Sequence, residues 1–80
     1  MHNNHIPADL LDAIEHNIRI LQAKRQFVGT LQRLGEIAAK SGDIAQLDHL
    51  RSEMSRETHL INLTTSELAG QFRQALNLSE

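Results

Sequence analysis

Apolar residues recur along this chain at steps of three and four, in two long series on either side of a single break. In the first series Leu11, Ile14, Ile18, Leu21, Val28, Leu31, Gly35 and Ala38 follow one another, with Arg25 filling the gap. In the second, Ile44, Leu47, Leu50, Met54, Ile61, Leu68, Phe72 and Ala75 do the same, with Glu57 and Thr64 filling the gaps. Steps of three and four mark one face of an α-helix, and their sustained repetition marks a coiled-coil-like seam. The pattern predicts an all-α chain, an antiparallel helical hairpin of two long helices over residues 7–40 and 44–77. The whole of 1–80 reads as one helical domain, with a disordered N-terminus over residues 1–5.

The punctuation agrees with this division. Pro7 stands where a helix start tolerates a missing N–H, and Asp9, Asp12 and Glu15 place negative charge against the positive end of the helix dipole. In Ser41-Gly42-Asp43, Gly42 suits the left-handed conformation that ends a helix. Asp43 then caps the next helix, and Gln46, three residues on, completes a capping-box pattern. Thr64 and Glu67 repeat that pattern, so residues 62–66 offer a place for a break. Neither Gly nor Pro occurs there, which favours one continuous helix.

A fold at Gly42 predicts which residues face each other, with paired numbers adding to about 82–83 in an antiparallel hairpin. Ala38 then faces Ile44, Gly35 faces Leu47, Val28 faces Met54, Leu21 faces Ile61, Ile14 faces Leu68 and Leu11 faces Phe72. The same rule sets Arg25 opposite Glu57, a candidate ion pair that fixes the register.

One stripe is left over. Ile6, Ala13, Ile20, Phe27 and Leu34 recur at intervals of seven, and Leu60 and Leu63 fall beside the second seam. A two-helix hairpin covers one stripe per helix, and a second stripe needs another helix. Burying a large apolar side chain stabilises by about 1.5–3 kcal/mol, so these seven residues form a candidate interface. The helix that covers them is either a C-terminal segment folded back after a break near Thr64 or another chain, which would make the hairpin part of a larger helical bundle.

Composition narrows the function. Eighty residues bury a small core, and such domains draw extra stability from disulfides, metals or association. Cysteine is absent, which removes disulfides and thiolate zinc sites. Two phenylalanines and no Trp or Tyr leave scarcely any platform for stacking on bases, and a net charge of −2 lacks the basic excess of a phosphate-tracking protein. Lys24, Arg25, Arg33, Arg51 and Arg56 make a modest basic region, interleaved with Glu36, Asp48 and Glu53. No apolar run approaches a membrane span, and the polar N-terminus is unlike a secretory signal, so the expected location is cytoplasmic.

Catalytic and metal chemistry find little support. Of the five histidines, His2 and His5 lie at the terminus, while His16, His49 and His59 lack a ligand one turn away on a shared face. Ser55, Glu57 and His59 are close in number, but residues two apart point in different directions on a helix. The glycines are isolated, so no phosphate loop forms. The expectation is a non-enzyme with no metal, no catalytic residues and no cofactor.

The stretch from Thr30 to Gly70 resembles the small helical-hairpin, E-type co-chaperones of bacterial type III secretion needle subunits. The apolar helix from Leu31 to Ala39, the Gly42-Asp43 turn, and a second helix with Gln46, Met54 and Leu60-Ile61 carry that resemblance. It covers about half the chain and contains no diagnostic motif, and the first helix here is longer than that family suggests. The resemblance implies a cytoplasmic protein that pairs with a larger helical-repeat chaperone and shields a polymerising subunit. The function expected from the residues is a helical protein–protein interaction module, a self-associating adaptor or co-chaperone that covers a helix of a partner. A small nucleic-acid-binding regulator and a structural subunit of a homo-oligomeric assembly are the alternatives.

Overall fold

The computed structural model describes residues 6–79, so the expectation for the terminus at 1–5 lies outside the described residues. Two helices, α1 (Ala8–Ser41) and α2 (Ile44–Ser79), pack on each other as a hairpin with no strand among the described residues. The rod they form measures 65 × 15 × 15 Å between Cα extremes. Helix α2 runs unbroken through residues 62–66, so the third helix that Thr64 might have started does not form. Without Gly or Pro, nothing there removes an intrahelical hydrogen bond, and Thr64 itself is half-buried toward α1.

Pro7 precedes α1 with φ −54° and ψ 141°, and its carbonyl accepts the first helical bond from Leu11 N–H at 3.0 Å. The other end closes by Schellman geometry. Gly42 takes φ 70°, its N–H donates to Ala39 C=O at 3.2 Å, and Asp43 N–H donates to Ala38 C=O at 2.9 Å. Asp43 caps α2 by accepting from Gln46 N–H through Oδ1 at 3.1 Å. The box is therefore one-sided. Asp43 N–H, the group a Gln46 side chain would satisfy, is already spent on α1.

The buried face differs from the sequence expectation by one residue in places, and the shift is systematic. Leu10, Ile14, Asn17, Leu21, Leu31 and Ala38 are buried on α1, and Leu50, Leu68 and Ala75 on α2. With the half-buried Lys24, Val28, Gly35, Leu47, Met54, Glu57, Ile61, Thr64 and Gln71, a series of alternating four-three steps runs along each helix, and the half-buried Ala13, Ile20, Gly29, Gln46, Glu53 and Leu60 lie off it. Leu11, Ile18 and Arg25 are thus replaced in the seam by Leu10, Asn17 and Lys24, and Phe72 by Gln71. Ile44, expected against Ala38, is 73% exposed. The expected series contains double steps of three, at 25–28–31 and 44–47–50, and each such step turns the face away from its partner.

The two buried series mirror each other about the turn. The side-chain contacts across the hairpin join Asn17 to Gln71 and Lys24 to Glu57, whose numbers add to 88 and 81 and so bracket the expected 82–83. The core divides into two clusters. Leu10, Ile14, Leu21, Leu68 and Ala75 occupy the open half, and Leu31, Ala38 and Leu50 the half nearest the turn.

The turn geometry yields a stability test. Gly42→Val forces a β-branched side chain into the left-handed region and is expected to cost about 1–2 kcal/mol. Asp43→Ala removes the cap and is expected to cost about 0.5–2 kcal/mol. Thermal melts of both variants check this, and unchanged midpoints would place the stability-determining contacts elsewhere.

Candidate interaction surface

The seam places two polar pairs inside an apolar contact. Asn17, only 5% exposed, donates through Nδ2 to Gln71 Oε1 at 3.0 Å. Lys24 Nζ lies 3.0 Å from Glu57 Oε2, with both side chains largely withdrawn from water. Among the described residues no buried side-chain nitrogen or oxygen lacks a partner. Glu57 therefore meets a basic residue across the hairpin as expected, but that residue is Lys24. Arg25, one position on, lies on the exposed flank. Strict alternation of four and three is the signal that selects Lys24, Asn17 and Gln71; choosing the more apolar of two neighbours obscures it.

Moving polar residues into the seam moves large apolar ones out of it. On the 3.5-residue repeat set by the buried series, Ala13, Ile20, Phe27 and Leu34 lie one residue before seam positions on α1, and Leu60 does so on α2. Antiparallel packing puts these two flanks on one side of the rod, with Leu63 one turn beyond Leu60. Phe27 is 42% exposed, Leu34 41% and Leu63 55%, while Ile6, Ala13, Ile20 and Leu60 are half-buried at the seam's edge. All seven candidate interface residues thus border the seam, and the six from Ala13 to Leu63 share this face.

A second apolar surface lies at the open end, where Ile6, Leu11, Ile14, Phe72, Ala75 and Leu76 line an open groove. Sequence reading placed Leu11 and Phe72 inside the seam. Their exposure follows from the one-residue shift, and Phe72 is left 46% exposed.

Eight charged side chains pair along the helices. Glu15 with Arg19 (3.7 Å) and Glu36 with Lys40 (3.0 Å) form the two i,i+4 pairs the spacing suggests. Arg51 with Asp48 (2.6 Å) and Arg56 with Glu53 (3.5 Å) add two i,i+3 pairs. The hydrogen bond to Asp48, and then its charge, hold the exposed Arg51 guanidinium still higher than ordinary arginine, so it stays charged at any pH the fold meets. Ser55 and His59, with Arg51, Met54, Thr58 and Asn62, line a shallow groove on α2, but no hydrogen bond joins the serine to the histidine. Glu57 is held by Lys24 in the seam. No group of three His, Asp or Glu side chains among the described residues is arranged to hold a metal ion, and no described helix is long and apolar enough to cross a membrane.

No protein-family model matches the chain, and neither curated proteins nor solved structures give a match.

The polar pairs are tested by a double-mutant cycle. Lys24→Leu or Glu57→Leu alone leaves a charge in the seam without its partner and is expected to cost about 1–3 kcal/mol. The double replacement should recover that loss and match or exceed the native stability. The Lys24–Glu57 cycle should show coupling while the Arg25–Glu57 cycle shows single effects that simply add. Coupling at Arg25 instead would shift the register back by one residue.

Proposed function

We propose that this chain is a non-enzymatic helix-pairing module, an adaptor whose flank binds another helix. The observation that carries the reading is the exposed apolar flank beside the seam, above all Phe27, Leu34 and Leu63. Such side chains are favourable to bury, and the seven-residue spacing of Ala13, Ile20, Phe27 and Leu34 follows the seam for three heptads. A long helix, alone or from a bundle, has the shape to cover it.

The distribution of charge favours this reading over a nucleic-acid-binding regulator. Five of the eight basic side chains, Arg19, Lys24, Lys40, Arg51 and Arg56, lie against a carboxylate within the chain. Backbone phosphates would have to compete for them. The co-chaperone form of the proposal, in which the flank shields a helix of a polymerising subunit, is supported by the resemblance of Thr30–Gly70 and by a hairpin fold of the kind it implies.

Phe27→Asp places a charge in the flank without touching the seam. It is expected to keep the helical circular-dichroism signal while abolishing association, whether with a second chain or with a helical partner. Light scattering and titration with a synthetic amphipathic helix read the two cases. A wild-type chain that remains monomeric and binds no helix would overturn the proposal. A salt-sensitive shift of duplex DNA or RNA would favour the nucleic-acid alternative.

A further inference from the structure

Helix α1 packs on α2 and on nothing else among the described residues, and a link of only two residues joins them. A hairpin of this kind can in general open and give each half to a second copy, rebuilding its seam between chains. From the spacing across the turn we infer that this chain is built against such an exchange. The two halves of its seam are out of phase along the chain, so both are satisfied only when it folds back at Gly42. The inference is independent of what the apolar flank binds.

The chemistry of the turn itself barely opposes opening. Glycine enters the helical region about as readily as the left-handed one, so Gly42 can give up φ 70° at little cost. The bonds from Gly42 N–H to Ala39 C=O and from Asp43 N–H to Ala38 C=O would be replaced by ordinary helical ones. The Asp43 cap would lose its purpose, because a continuous helix has no N-terminus there.

The seam supplies the opposition. On α1 the four-three series ends at 28, 31, 35 and 38, and on α2 it begins at 47, 50, 54 and 57. Continued through the turn as one helix, the α1 series would call for positions 42, 45, 49 and 52. The α2 series therefore arrives two residues early, and two residues are about 200° of helical rotation. A straight helix over both segments would carry Leu31 and Ala38 on one side and Leu47 and Leu50 on nearly the opposite one. Gly42, Ala45, His49 and Ser52 would stand where the first half calls for apolar side chains. Two such chains laid side by side could join α1 of one to α2 of the other only once, with the remaining halves facing away. Half of the Asn17–Gln71 and Lys24–Glu57 contacts would be lost. The reversal at Gly42 uncouples the rotation of α2 from that of α1, and both halves then face inward.

Spin labels at Asp12→Cys and Arg73→Cys trace the path of one chain when labelled chains are refolded in excess unlabelled chain, and the absence of native cysteine makes the labelling specific. In the hairpin the labels lie across a rod 15 Å wide, whereas one continuous helix sets them about 90 Å apart. The wild-type chain should give the short intrachain distance. Gly42→Ala, whose added Cβ meets nothing within 4 Å, favours helix at the turn through the backbone alone. It should melt lower yet keep the short distance. Adding two alanines beside Gly42→Ala restores unbroken four-three spacing through the turn. That chain should lose the short distance and sediment as an exchanged dimer. Should the insertion fail to fold, deletion of residues 40–44 restores the same phase and leaves no turn. Loss of the short distance in the wild-type chain or in Gly42→Ala would overturn the inference. So would a hairpin, or an unfolded chain, in both phase-corrected variants.

Discussion

The register between α1 and α2 depends on the two polar pairs set into an apolar seam. An all-leucine contact between two long helices has nearly the same energy when one helix slides by a heptad. Asn17 with Gln71 and Lys24 with Glu57 remove that degeneracy. A slid alignment would set an amide or a charge against hydrocarbon, at a cost well above the modest net gain of the hydrogen bond itself. Replacement by apolar pairs would match or exceed the native pairs in stability, so their contribution is to alignment more than to depth of the energy well. Their position suits that role. The Asn17–Gln71 contact lies within the open-half cluster, and Lys24–Glu57 lies between that cluster and the one near the turn.

Everything exposed on the flanks follows from that alignment. With positions 17, 24, 57, 64 and 71 given to polar side chains, the core is thin, and no described side chain is completely enclosed. Ile18, Phe27, Leu34, Leu63 and Phe72 are correspondingly left partly in water. A rod of this slenderness has little interior in which to bury apolar side chains. The same register sets which apolar side chains stand on the flank, so the pairs that align the hairpin also shape that face.

Local chemistry made the turn and the helices legible. Gly42 adopts the positive φ that its lack of a side chain permits, and Asp43 supplies the cap, both through contacts within five residues. The continuity of α2 past Thr64 was likewise legible, since a capping pattern without Gly or Pro does not stop a helix whose neighbouring turns are packed. The exposed flank was visible as a seven-residue spacing, and Phe27, Leu34 and Leu63 lie on it in the structure.

By itself, then, the sequence determined two helices, one turn, their antiparallel return and a surplus apolar stripe, because each follows from spacing or from contacts close along the chain. The phase of the seam was decided only in three dimensions. Leu10 and Leu11, Asn17 and Ile18, Lys24 and Arg25, and Gln71 and Phe72 are neighbours that satisfy local helix chemistry equally well. Ranking them by hydrophobicity favours Ile18 and Phe72. Burial is shared, however, across two helices that must keep an alternating four-three step along their whole length. Under that constraint Asn17 and Gln71 find each other across the seam, and a polar side chain with a partner fits where a larger apolar one would break the packing.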